Sequence, residues 1–164
     1  KFAAGVNVTG ADGSGPAFGD YDGAGWLDLV IGGVGSTAPR LYRNQGNGTF
    51  TNVTAQSGIT SFLNTISCTF GDHDLDGDLD IFLSHWGAIG SPDHLWRNNG
   101  NGTFASADPD AGLSILGDEG SDFTYPGNFA DINDDGLEDV LVGCPYASLD
   151  SGFDGGGFLA FLGG

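Results

Sequence analysis

Phe70-Gly-Asp-His-Asp-Leu-Asp-Gly-Asp-Leu-Asp80 runs from an aromatic strand end into a loop with aspartates at alternating places and a glycine at the sixth. Two other stretches align with it, Phe18-Gly-Asp-Tyr-Asp-Gly-Ala-Gly-Trp-Leu-Asp28 and Phe129-Ala-Asp-Ile-Asn-Asp-Asp-Gly-Leu-Glu-Asp139. Their starts lie 52 and then 59 residues apart. Repetition at such a period marks one supersecondary unit used several times. A second block repeats too, Leu41-Tyr-Arg-Asn-Gln-Gly-Asn-Gly-Thr-Phe50 against Leu95-Trp-Arg-Asn-Asn-Gly-Asn-Gly-Thr-Phe104.

Working outward from the loops, each unit reads as four strands. Ile66, Cys68 and Phe70 alternate with Thr65, Ser67 and Thr69, the period of a strand. After each loop comes an apolar run, 29–31, 81–83 and 140–142, as expected of a strand buried on both faces. A third strand follows at 41–43 and 95–97. Asn47-Gly48 and Asn101-Gly102 suit type I′ hairpin turns, after which Phe50 and Phe104 open a fourth strand. No segment has helical periodicity. The expected fold is therefore all-β: a β-propeller segment of three four-stranded antiparallel blades. The divisions are 1–15 (outer strand and linker), 16–60, 61–115 and 116–164, the last blade lacking its outer strand. The competing architecture, a calcium-binding parallel β-helix, repeats about every nine residues rather than fifty.

The loops approximate Asp-x-Asp-x-Asp-Gly-x-x-Asp. A hard cation such as Ca²⁺ takes roughly six to eight oxygens, and carboxylates at alternating positions point inward as such a loop curls. The second loop offers Asp72, Asp74, Asp76 and Asp80 as side-chain ligands and the Asp78 carbonyl at the seventh position. The third offers Asp131, Asn133, Asp135 and Asp139, with the Leu137 carbonyl. The first has Asp20, Asp22 and Asp28 with the Trp26 carbonyl, but Ala24 stands where the third carboxylate belongs. Weaker binding is expected there. An EF-hand is excluded, because its closing glutamate would fall at Ile31, Leu83 and Val142.

The charge balance points the same way. Four basic residues stand against 22 acidic ones, a formal net charge of −18, among 164 residues of which 31 are glycine. Such self-repulsion calls for counter-ions. It also excludes the basic stripes of nucleic-acid binding. No apolar run approaches the roughly 20 residues that span a bilayer. Cys68 and Cys144 lack zinc-ligand spacing and read as one disulfide or two buried thiols.

The Phe-Gly-Asp…Asp-Gly…Asp-Leu units resemble FG-GAP repeats, the blades of the integrin α-subunit propeller. The Leu-Tyr-Arg-Asn…Gly-Asn-Gly-Thr-Phe50-Thr-Asn-Val-Thr54 blocks resemble the VCBS variant of secreted proteins. The third unit, with Leu141-Val-Gly-Cys-Pro-Tyr146, is nearer the integrin form. The resemblance implies calcium in each loop, an extracellular setting, and an adhesive or scaffolding role with protein partners.

Other residues carry less. His73, His85 and His94 read as solvated or turn-bonded, since neither a Gly-x-Ser-x-Gly elbow nor a His-Glu-x-x-His motif is present. The chain reads as non-enzymatic. Trp26, Trp86, Trp96 and Tyr42 could stack on sugars, although packing is the simpler expectation for Tyr42 and Trp96. Arg43 and Arg97 are expected to pair with an acidic loop. Glycosylation sequons stand at Asn7, Asn47, Asn52 and Asn101. The leading function is a calcium-binding extracellular module for adhesion, scaffolding or ring and filament assembly. The alternatives are a carbohydrate-binding lectin propeller, or the non-catalytic part of a larger secreted enzyme. For assembly, residues 1–9 are expected to pair with the strand at 158–162, within a larger propeller or in a neighbouring copy.

Overall fold

The structure is a computed structural model, and it describes residues 5–6, 15–33, 37–60, 64–86, 93–107, 127–144, 148–149, 153–154 and 157–161. Among the described residues the chain is all-β apart from one helical turn, α1 (Thr54–Ser57). The first sheet runs β1 (Ala17–Gly19), β2 (Asp28–Ile31), β3 (Arg40–Asn44) and β4 (Phe50–Asn52), in that spatial order. The second repeats it with β5 (Asn64–Gly71), β6 (Asp80–Trp86), β7 (His94–Asn98) and β8 (Phe104–Ser106). All neighbours are antiparallel. The third sheet holds β9 (Asn128–Ala130), β10 (Asp139–Cys144) and β13 (Gly157–Phe161), with β10 central. Between β10 and β13, β11 (Ser148–Leu149) and β12 (Phe153–Asp154) form a separate hairpin. No fourth strand joins the third sheet among the described residues.

The sheets stack face to face because their second strands are apolar on both sides. Val30 and Leu41 from the first sheet pack with Cys68, Ile81, Leu83 and Trp96 from the second. The other face of the second sheet, Phe82 and Leu95, packs with Val140 and Val142 of the third. Ile81, Phe82 and Leu83 are fully buried, as a strand between two neighbours must be.

A second contact runs along the first strands and accounts for the Phe-Gly pairs. The Phe70 ring lies on Gly19, where an added Cβ would come within 2.7 Å of the ring. Phe129 lies on Gly71 in the same way, at 2.1 Å. Only glycine admits so close an approach. Phe18, first of the series, is 58% exposed.

Several expectations need correction. The Asn-Gly hairpins are not type I′, because neither Asn47 nor Asn101 has positive φ. Instead Gly46 and Gly48, and Gly100 and Gly102, take left-handed backbone. The Asn47 and Asn101 Oδ1 atoms accept from the Thr49 and Thr103 N–H groups, each at 3.0 Å. The alternation in β5 is broken by a register shift between Thr65 and Ser67, so Thr65, Ser67 and Cys68 are all buried. Cys68 is a free thiol, and burial pushes its pKa up to about 12. Most of residues 1–9 lies outside the described residues. Of the two that are described, Val6 packs with Leu29, Ile31 and Tyr42 on the first sheet, beside Phe50.

Candidate metal centres

All three loops share one backbone path. The fourth residues, Gly23, Leu75 and Asp134, have φ of 65°, 55° and 61°. The sixth residues, Gly25, Gly77 and Gly136, have φ of 85°, 93° and 89°. Two left-handed residues in five turn the chain back on itself, so that its first carboxylate meets the amides that follow. The sixth-position N–H donates to the first aspartate in every loop: Gly25 to Asp20 at 2.7 Å, Gly77 to Asp72 at 3.0 Å, Gly136 to Asp131 at 2.9 Å.

The ninth aspartates serve as anchors. Asp28, Asp80 and Asp139 are at most 1% exposed, and each accepts the second-position N–H, from Tyr21, His73 and Ile132 respectively. The other oxygens of Asp28 and Asp80 accept the N–H of Asn44 and Asn98, both at 2.7 Å. These asparagines end β3 and β7. Their side chains reach back to the eighth-position carbonyls of Leu27 (2.9 Å) and Leu79 (3.1 Å). Asn98 also donates to the Tyr21 carbonyl of the first loop at 2.8 Å, joining neighbouring units. Sequence reading missed this role, although the repeated Arg-Asn pair was its signal.

Two loops bring carboxylates together. Asp20, Asp22 and Asp28 each place an oxygen within 4.8 Å of the others, and so do Asp72, Asp74 and Asp76. His73, Asp74 and Asp80 form a further group on the second loop. No such carboxylate group forms in the third loop among the described residues. There the Asn133 amide donates to Asp135 at 2.8 Å, holding the pair together without a cation. Of the seventh-position residues, Trp26 is exposed with its indole against Gly46, Asp78 lies against Gly100, and Leu137 is half-buried.

The donor sets differ in how well they suit a cation. In the second loop, Asp72 Oδ1 is buried and accepts no hydrogen bond. Its counterparts Asp20 Oδ1 and Asp131 Oδ1 accept the fifth-position N–H groups of Ala24 and Asp135, at 2.9 and 3.1 Å. A buried carboxylate oxygen without a donor is costly unless something else meets it. Burial and the neighbouring Asp80 and Asp76 also push the Asp74 carboxyl above its ordinary value. This donor set fits a hard cation.

Arg43 and Arg97 pair with the loops, each with the third-position aspartate: Arg43 Nε to Asp22 at 2.5 Å and Arg97 Nη1 to Asp74 at 4.0 Å. Of the histidines, one is bonded within its turn as expected and one is buried in a sheet. The His73 ring bonds Asp80 at 2.8 Å. His85 is buried in β6, its ring against that of His94 at 5.0 Å. Tyr42 and Trp96 are packed in the core, at 1% and 7% exposure. Asn47, Asn52 and Asn101 are exposed, and Asn7 lies outside the described residues.

Residues 20–83 match the family model of the FG-GAP-like repeat, spanning the first two loops. No curated protein matches the sequence. Among solved structures, the chain resembles an Agrocybe aegerita lectin, described for specific recognition of non-reducing terminal N-acetylglucosamine. The likeness has 22% identity and a TM-score of 0.43, over 90% of this chain and 37% of that one. The chain thus spans little more than a third of that lectin. No described helix is long and apolar enough to cross a membrane.

Proposed function

We propose that this chain is a calcium-binding β-propeller module of the FG-GAP type, extracellular and non-enzymatic, that serves adhesion or assembly with other protein chains. One observation carries the calcium reading: the second loop gathers Asp72, Asp74 and Asp76 and leaves a buried Asp72 oxygen without a donor. These residues would hold the ion, with Asp80 anchoring the loop and the Asp78 carbonyl available beside them. Bound calcium would supply charge neutralisation and cross-linking rather than reaction chemistry. The FG-GAP-like match over residues 20–83 supports the repeat assignment and, by the habit of such repeats, an extracellular setting.

A cation that binds only the folded state adds RT ln(1 + [L]/Kd), roughly 4 kcal/mol at a thousandfold excess over Kd. For a chain of this size that is on the order of 10 °C in melting temperature. Melting with calcium and with chelator tests the reading: a fall of that order on chelation is expected. Identical curves would sink it.

Glycan binding is the second reading. A polar cleft of about 200 Å³ between the first two units is lined by Tyr21, Asp22, Arg43, Asp78 and Asn101. Charged and amide groups of this kind suit sugar hydroxyls. Its volume is below the roughly 300–1,000 Å³ of ordinary ligand pockets. A glycan array without signal would remove this reading.

A further inference from the structure

We propose that Arg43 takes the place of a cation in the first loop, so that this loop is a self-neutralised copy of a calcium loop and the divalent ion goes to the second. The proposal rests on the calcium reading for the second loop, but its claim about the first stands on contacts within that loop and with β3.

Every carboxylate oxygen of the first loop has a partner, although Asp22 Oδ2 accepts no hydrogen bond and is met by an ion pair alone. Asp20 accepts Ala24 N–H at 2.9 Å and Gly25 N–H at 2.7 Å. Asp28 accepts Tyr21 N–H at 3.3 Å and Asn44 N–H at 2.7 Å. One Asp22 oxygen accepts Ala24 N–H at 3.2 Å, and the other faces Arg43 Nε as an ion pair at 2.5 Å. The second loop keeps the Gly77, His73 and Asn98 N–H bonds to Asp72 and Asp80 but differs elsewhere. Asp72 Oδ1 has no donor, Arg97 stands off at 4.0 Å from Asp74, and Asp76 adds a carboxylate where the first loop has Ala24.

The two departures in the first loop complement each other. Losing the fifth-position carboxylate leaves three carboxylates in side-chain ligand places where the second loop has four. A guanidinium then serves as a tethered counter-ion, and its planar fork suits a carboxylate better than a point charge would. A divalent ion entering this loop would have to displace Arg43 from Asp22 and the Ala24 N–H from Asp20, contacts with no counterpart on Asp72 Oδ1. In the second loop it would find an oxygen already waiting.

Native mass spectrometry of the full chain in calcium, with Asp22→Asn and Asp74→Asn variants, tests the division. Asp22→Asn is expected to leave the number of bound ions unchanged, and Asp74→Asn to lose one. Loss of an ion from Asp22→Asn would overturn the proposal. The combined change Ala24→Asp with Arg43→Gln is expected to add one ion, and failure to add it would count against the proposal.

A metal-free measurement keeps the claim testable even if the chain binds no calcium. In chelator, the melting effects of Arg43→Gln and Asp22→Asn are expected to be strongly non-additive, the double variant melting near the Arg43→Gln single. Arg97→Gln and Asp74→Asn are expected to add independently. Additive effects at Arg43 and Asp22 would overturn the proposal whatever calcium does, whereas absence of any bound ion would overturn only the calcium reading.

Discussion

Each ninth-position aspartate of the first two loops gives both oxygens to backbone N–H groups, one inside the loop and one at the end of the third strand. Asn98 completes the clamp while 1% exposed, and its amide serves two carbonyls in two different units. Asn44 serves one carbonyl and is half-buried. Asn98→Ala would strand buried groups that each cost about 1–3 kcal/mol, so a loss of at least about 2 kcal/mol is expected, and Asn44→Ala should lose less. Urea unfolding checks the order, and equal losses would contradict the inter-unit role. Asp28 shows what this clamp costs. Burial pushes its carboxyl up to about 6, further than the Asn44 amide pulls it down. Between about pH 4 and pH 6 the folded chain therefore holds a proton that the unfolded chain has lost. Stability from this group falls as pH rises through that window, and the cost is fully present above it. His73 has the opposite sign: the Asp80 bond raises its pKa, so its contribution is present below the unfolded value and lost as pH rises through the folded one. In chelator, Asp28→Asn is expected to flatten the slope of stability between pH 4 and 6. An unchanged slope would contradict the assignment.

The first strands show how a short motif sets the spacing of neighbouring sheets. Gly71 receives the Phe129 ring so closely that any Cβ would displace it. Overpacking of this kind costs about 1–3 kcal/mol, so Gly71→Ala is expected to destabilise by that amount in denaturant unfolding. A neutral result would mean that the ring moves aside freely. The Phe-Gly repeat itself was plain from the sequence, but its purpose was not, because a glycine that accepts a neighbour's ring and one that turns a loop are written alike. The doubly buried strands were legible, since Leu29-Val30-Ile31 and Ile81-Phe82-Leu83 are apolar on both faces. The third and fourth strands followed from the repeated blocks. Local order was harder to read. A one-residue shift in β5 overrode the alternation of Ile66, Cys68 and Phe70, and a threonine N–H donating to the asparagine Oδ1 replaced the expected turn. His85 read as solvated or turn-bonded because a lone histidine carries no sign of the sheet that buries it.

At the scale of the molecule, stacked antiparallel sheets place their acidic loops in a chain whose formal charge is −18. The loops share a backbone but not a charge state. The first is neutralised by Arg43, the third is tied by Asn133, and the second is left with an unmet oxygen. Sequence alone ranked the second and third loops together, because Asn and Asp are both oxygen ligands. The difference lies in the Asn133 amide, which donates to Asp135. The central claim is that the second loop is the calcium site, and an anomalous difference map from crystals grown with a lanthanide in place of calcium tests it most directly. The account predicts the strongest peak among Asp72, Asp74 and Asp76, about 2.3–2.6 Å from their oxygens. A map with no peak there, or with its strongest peak at Asp20 and Asp22, would contradict it.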